Sequence, residues 1–532
     1  MKVLVSDDLS AEGLEVLKQH VEVDYKPEIK PAELVKEIGN YDALVVRSRS
    51  KVTAEVIEAG INLKIIGRAG VGVDNIDLNK ATEKGIIVVN APDGNTISAA
   101  EHTIALLTSL ARNIPEANYS IKKGEWKRSS FTGVELNNKI LGVIGVGRIG
   151  SEVARRARAM GMKTIGYDPY ISAEKAEKMG VEMVDFEDLL KQADFITFHM
   201  PINPQTHHMI GEKELAMLKP GVRIINCARG GLIDEDALCM ALQEGRVAGA
   251  ALDVFEEEPP TSCKLLEQDN FIATPHLGAL TYEAQTNVAL QVSEQIIKAL
   301  KGEPVLSAVN MPALMPETRA VLEPYFPLMQ VLGSFYVQVF GGSVDEIELT
   351  YFGEVTSQPL EFLTTSCLIG FLQHVIGEGV NWVNAPYIAK DRGISIKETV
   401  TTEIKNYNTL VRMTGRFKGK EHHRVSGTIH SDGMRLVRVD EHLIEIIPSR
   451  YMLVVTTHQD RPGVVGKIGT LLSDENINIE SMQLGRIKAA HEGMMFIQVD
   501  SEMSPEIQKK IRDIDLIASA KFVTLHNITL SD

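Results

Sequence analysis

Residues 139–161 read KILGVIGVGRIGSEVARRARAMG. The apolar run that ends at Ile144 is short and stops at a glycine, as a buried strand does. Gly145, Gly147 and Gly150 follow in G-x-G-x-x-G spacing, and SEVARRARAMG continues as a helix. The spacing alone is weak, but a strand before it and a helix after it make it specific. The first glycine makes the turn, the second lets the backbone approach a pyrophosphate, and the third lets helix and strand pack closely. The helix N-terminus then faces the phosphates. The next strand, KTIGYDP, ends in Asp168, about 20 residues on, where a carboxylate is expected to bind a ribose 2′-hydroxyl. That charge would repel the extra phosphate of NADP, so the expected cofactor is NAD. A ligand-free βα turn is the alternative reading of these glycines, and the strand–helix context disfavours it.

Working outward, strand-like and helix-like segments alternate on both sides. KVLVSD, ALVVRS, LKIIGRAG and GIIVVN lie before the glycine loop. KTIGYDP, DFITFHMP, VRIINCA, AGAALDV and NFIATPH lie after it, making six strands with the first. Such alternation specifies βαβ units around parallel sheets. A long apolar helix, ISAAEHTIALLTSLARN, separates the two series, and a helix after Ala279 could return the chain to the first. From Ala313 to Ile447 the signals weaken; several antiparallel strands are expected, with a turn at Asp432–Gly433. From Tyr451 the order is βαββαβ, which is ferredoxin-like.

The 532 residues predict two to four domains. A formal charge of −16 argues against a nucleic-acid binder, which would need a basic face. No apolar run is long enough to cross a membrane, and MKVLVSDD reads as a strand rather than a signal peptide. Cys227, Cys239, Cys263 and Cys367 have neither metal-ligand nor disulfide spacing, so a reduced, cytoplasmic protein is expected.

In doubly wound sheets, ligands sit outside the carboxyl ends of the strands. Three chemically suited residues fall at such ends: Arg229 in INCARGG, Glu258 in LDVFEEEPP and His276 in TPHLGA. Histidine can give or take the proton that accompanies hydride transfer. A carboxylate would orient it, and an arginine can clamp a substrate carboxylate. Spacing alone leaves each open to a structural reading as a turn cap, a solvated acid or a packed histidine.

GVIGVGRIG, INCARGGLIDEDAL, ALDVFEEEPP and TPHLGALT resemble the D-2-hydroxyacid dehydrogenase family. In that family a split substrate domain brackets an inserted NAD domain. The resemblance implies that Arg229 binds and polarises substrate, Glu258 assists, and His276 is the acid/base. It implies a cofactor set of Gly145, Gly147, Arg148, Ile149, Gly150, Asp168, Cys227 and Asp253. VVRSRSKVT, GRAGVGVDNIDL and APDGNTISAAEHT, with the C-terminal segments, are similar to the long-form D-3-phosphoglycerate dehydrogenases within that family. Substrate contacts are then implied for Arg47, Ser48, Val71, Gly72 and Asn95, and for Arg128 across a subunit boundary; Arg49 reads as solvated.

On this basis the first part of the substrate domain spans residues 1–95, the Rossmann domain 96–282 and the substrate-domain return 283–312. An intervening domain spans 313–447 and an ACT domain 450–532. The fold class is α/β: two doubly wound parallel-sheet domains, a mixed α/β domain and a ferredoxin-like one. The ACT resemblance implies an L-serine site at His458, Asp460 and Asn478, and a homo-oligomer, dimer or tetramer. The cluster Lys418, Lys420, His422, His423 and Arg424 reads mainly as an exposed face. The expected reaction converts 3-phosphoglycerate and NAD⁺ to 3-phosphohydroxypyruvate and NADH. The competing expectations are a reductase of unphosphorylated 2-keto acids and an NAD-sensing interaction protein.

Overall fold

The computed structural model describes residues 1–377, 379–401, 407–457, 462–486, 493–515, 517–525 and 528. Strands β1 (Lys2–Val5), β2 (Glu22–Tyr25), β3 (Ala43–Val46), β4 (Ile65–Arg68) and β5 (Ile87–Val89) form a parallel sheet ordered β2-β1-β3-β4-β5. Its inner strands are buried on both faces, which is why they read as unbroken apolar runs. The helix Tyr282–Leu300 returns to this sheet and buries Val288, Val292 and Ile296 with Val3, Val5 and Ile65. Two glycines admit it. A Cβ at Gly67 would stand 2.6 Å from Val292 Cγ2, and one at Gly13 2.6 Å from Ala289 Cβ. Beyond the helix, Val309 N donates to Val88 O (2.7 Å) and Asn310 Oδ1 accepts from Val88 N (2.9 Å).

The second sheet contains β6 (Ile140–Ile144), β7 (Lys163–Tyr167), β8 (Glu182–Met183), β9 (Phe195–Phe198), β10 (Val222–Asn226), β11 (Val247–Leu252) and β12 (Phe271–Ala273). Its order, β12-β11-β10-β9-β6-β7-β8, is all parallel and reverses direction between β6 and β9. That switch point opens a crevice at the carboxyl ends of the strands. All six strands expected in this series are present; β8, two residues long, is additional.

The third sheet is mixed: β13 (Glu346–Gly353), β14 (Ser395–Thr401), β15 (Thr409–Phe417), β16 (Lys420–His430), β17 (Gly433–Val439) and β18 (His442–Ile446), ordered β14-β13-β15-β16-β17-β18. Two apolar helices, Tyr325–Phe340 and Glu361–Ile376, cover one face. They cross closely because Gly333 and Gly370 lack side chains: a Cβ on either would stand 2.1 Å from a carbonyl of the other helix. The β16–β17 turn has Ser431 and Asp432 at its corners, and Gly433 (φ +122°) already pairs with His430.

The fourth sheet, β19 (Tyr451–Thr457), β20 (Ile479–Arg486), β21 (Gly493–Val499) and β22 (Ile517–Thr524), is antiparallel in the ferredoxin-like order β20-β21-β19-β22. It is fastened to the third unit by Gln338, whose side chain both accepts from Thr524 N and donates to Thr524 O at 2.9 Å. The third unit touches the first where Asn381 Nδ2 donates to Gly85 O (2.9 Å). Among the described residues, no helix is long and apolar enough to cross a membrane.

Candidate active site

A cavity of about 610 Å³ lies between the first two sheets, at the carboxyl ends of their strands. Arg47, Ser48, Val71, Gly72, Asn95, Arg229, Glu258 and His276 all line it. The end of β10 delivers Arg229, and the loop after β11 delivers Glu258. The turn after β12 delivers His276, whose backbone is left-handed (φ +56°).

His276 Nδ1 lies 2.8 Å from Glu258 Oε2, and Glu258 Oε1 accepts from Phe255 N (3.2 Å). Burial opposes ionisation of Glu258, but the hydrogen bond and charge of His276 and the Phe255 N–H outweigh it. The carboxyl is held below its ordinary range. Among the described residues, Nε2 of His276 has no hydrogen-bond partner. The Arg229 guanidinium is anchored by Asp74 Oδ2 (3.1 Å from Nε) and by Ala228 O (2.7 Å from Nη1).

The opposite wall is cationic. Arg68, at the end of β4, also lines the cavity. Burial first, then the neighbouring Arg229 charge, lowers it to about 10, so it remains cationic at neutral pH. Its Nε is buried without a partner among the described residues. The strand-end rule that selects Arg229 applies equally to Arg68 in LKIIGRAG, and the sequence reading passed it over. The Arg47 loop is organised by buried Asp7, which accepts from Arg47 N (2.6 Å), Ser50 N (3.1 Å) and Ser50 Oγ (2.6 Å). Arg49 is not simply solvated: it donates to Asp7 Oδ1 (3.3 Å) and Ser6 O (2.8 Å).

The glycine loop follows β6, and its residues 145–150 do not line this cavity. Gly145 is left-handed (φ +92°). A Cβ on Gly150 would stand 2.0 Å from Gly145 O, whereas at Gly147 nothing lies within 4 Å. The helix Arg148–Ala159, which also carries Ile149, has no side-chain cap at its N-terminus, so its first amides remain free for an anion. Asp168 accepts from Val146 N and Tyr170 N, both at 2.9 Å, and so fastens the loop to the end of β7. The Arg148 side chain is paired with Asp93 at 2.7 Å. Burial pushes the Cys227 thiol up to about 12, against a weaker effect of Thr103, so it is no nucleophile at neutral pH.

Three family models match successive parts of this chain. The D-isomer specific 2-hydroxyacid dehydrogenase NAD binding domain matches residues 104–278. The D-3-phosphoglycerate dehydrogenase intervening domain matches 321–440, and the ACT domain 451–516. The D-3-phosphoglycerate dehydrogenase of Methanocaldococcus jannaschii is 46% identical over 99% of this chain and 100% of its own. The chain belongs to the D-3-phosphoglycerate dehydrogenase family. The family member from Synechocystis sp. is 45% identical over 98% of this chain and 95% of its own. A solved glyoxylate reductase from Paecilomyes thermophila superposes with a TM-score of 0.55 at 36% identity, covering 58% of this chain and 98% of its own. The family's cofactor is NAD, and the loop described above fits it: the space over Gly147, the uncapped helix and the Asp168 carboxylate are what a dinucleotide requires.

Other expected residues lie elsewhere. Arg128 sits on the exposed short helix Arg128–Phe131, outside the cavity. Asn478, exposed just before β20, donates its backbone N–H to Asp500 Oδ1 (3.1 Å), and its carbonyl accepts from Asp500 N (3.3 Å). His458 and Asp460 lie outside the described residues.

Proposed function

We propose that this protein oxidises 3-phosphoglycerate to 3-phosphohydroxypyruvate with NAD⁺, opening the phosphorylated route to L-serine. The observation that carries this reading is the polarity of the cavity. A His–Glu pair and Arg229 occupy the second-sheet side, and Arg47, Ser48 and Arg68 face them from the first. That arrangement suits a substrate with a 2-hydroxy acid at one end and a phosphate at the other. Full-length similarity to enzymes named for this substrate supports it.

In this reading bound NAD⁺ supplies the hydride acceptor. His276 Nε2 takes the proton of the C2 hydroxyl while Glu258 stabilises the imidazolium that forms. Arg229 holds the substrate carboxylate and polarises the developing carbonyl oxygen. The amides of Val71 and Gly72, with Asn95, bind the carboxylate from the other wall; Arg47, Ser48 and Arg68 take the phosphate. Asp253 matches the family position that would lie near the nicotinamide carboxamide. Residues 1–95 with 283–312 act as the substrate half and 96–282 as the cofactor half. The active form is a cytoplasmic homo-oligomer, in which Arg128 reaches a neighbouring subunit's cavity and L-serine binds at the ACT domain as inhibitor. The four free thiols suit a reducing compartment.

NADH absorbance with 3-phosphohydroxypyruvate, with and without L-serine, tests this directly. Rapid oxidation suppressed by serine is the expected result. No oxidation would sink the substrate assignment. Arg47→Ala discriminates against a general 2-keto acid reductase, because it should raise KM at least about tenfold for the phosphorylated substrate and leave hydroxypyruvate nearly unaffected.

A further inference from the structure

Asp253, just past β11, is completely buried. Its Oδ1 accepts from Thr274 Oγ1 (2.6 Å) and Leu277 N (2.7 Å), its Oδ2 from Gly278 N (2.8 Å), and its backbone O from His276 N (2.9 Å). One aspartate thus holds the turn 274–278 at four points, with His276 inside it.

A buried carboxylate is costly unless it is fully paired. Burial opposes ionisation of Asp253, and the hydrogen bonds of His102, Thr274 and Leu277 outweigh it, keeping the carboxyl below its usual range. His102 therefore belongs to the arrangement. Its Nε2 lies 3.2 Å from Asp253 Oδ1 and 3.2 Å from Thr274 Oγ1. The carboxylate can only accept, and the Thr274 hydroxyl proton is already committed to it, so Nε2 must be the donor. His102 reaches in from the helix Thr96–Arg112, which begins where the chain leaves the first sheet. One turn earlier on the same helix, Ser98 Oγ donates to Gly278 O (2.9 Å).

We propose that His102 is a positioning residue for hydride transfer: its Nε2–H, shared between Asp253 and Thr274, ties the turn that carries His276 to the helix Thr96–Arg112. The inference rests on His276 being the acid/base. An imidazole displaced by a fraction of an ångström still binds substrate but loses its in-line geometry, so the effect belongs to kcat and not to KM.

The test compares full-length His102→Leu and His102→Gln with wild type, and carries His276→Asn in parallel. Steady-state rates with 3-phosphoglycerate, NADH binding by fluorescence and thermal midpoints are read for each. His102→Leu should lower kcat about tenfold while KM and the NADH Kd stay within about twofold. His102→Gln, whose amide N–H can reach the same oxygens, should recover kcat to within about threefold of wild type. Wild-type kcat in the leucine variant would overturn the proposal, as would equal losses in both variants. Full activity in His276→Asn would instead remove the assignment of His276 itself, independently of the position 102 results.

Discussion

Gly72 lies directly under the Arg229 guanidinium: a Cβ at position 72 would stand 1.8 Å from Arg229 Nη2 and 2.6 Å from Asp74 Oδ2, its anchor. The atoms in the way belong to mobile side-chain ends, so a methyl group there would be relieved by moving Arg229. Gly72→Ala should therefore leave the thermal midpoint within a few degrees while kcat/KM falls about 100-fold. A large loss of stability with normal activity in the surviving protein would refute this.

Glu258 has one oxygen on His276 and the other on a backbone N–H. Glu258→Gln keeps the shape and removes the charge that favours the imidazolium. We expect kcat to drop about 100-fold or more with little change in NADH binding, as for other carboxylates that orient a catalytic histidine. Stopped-flow measurement of the hydride step would show the loss in chemistry rather than in product release.

Asp168 fastens the glycine loop to the end of β7, and in the proposed reading its carboxylate would accept from the ribose 2′-hydroxyl. Asp168→Ala should weaken NADH about tenfold and narrow the discrimination against NADPH, because the repelling charge is gone. Fluorescence titration with both nucleotides measures this.

Glu348, in the third sheet, accepts from Lys397 (2.9 Å), Arg416 (3.0 Å from Nε) and Thr399 (3.1 Å). The hydrogen bonds of Lys397 and Arg416 outweigh burial and bring it down to about 2. A lowered carboxyl adds stability that is complete above its unfolded value, about 4.3, and is lost as pH falls through the folded one. Glu348→Gln should thus melt several degrees below wild type at neutral pH, with the gap closing on acidification. A gap that stayed constant down to pH 3 would contradict it.

The cofactor loop and the three strand-end residues were legible because each depends on local rules: glycine spacing in a strand–turn–helix context, and the position of strand tips. Asp7 and Asn75 were not. They act on Arg47 across 40 and 28 residues of sequence, and nothing local marks them. The helices Tyr325–Phe340 and Glu361–Ile376 were missed for a different reason. Both are buried nearly all round, which erases the polar stripe that reveals a helix. β8 has two residues and no apolar run to read. The Asp432–Gly433 turn was placed one residue late, because Gly433 supplies its positive φ from the first position of the strand rather than from a corner.

The chain passes between the first two sheets twice, once into Thr96–Arg112 and once into Tyr282–Leu300, and the passages touch: a Cβ on Gly94 would stand 2.5 Å from Val288 Cγ1. A body suspended on two adjoining pins keeps one easy freedom, a swing about the line through them, while sliding and twisting are resisted. Were the two halves to swing about that line, Arg47 would travel along a fixed arc relative to His276. Such a hinge would gauge the span between the two ends of a bound molecule, and an acid of the wrong length would meet a jaw unable to shift sideways.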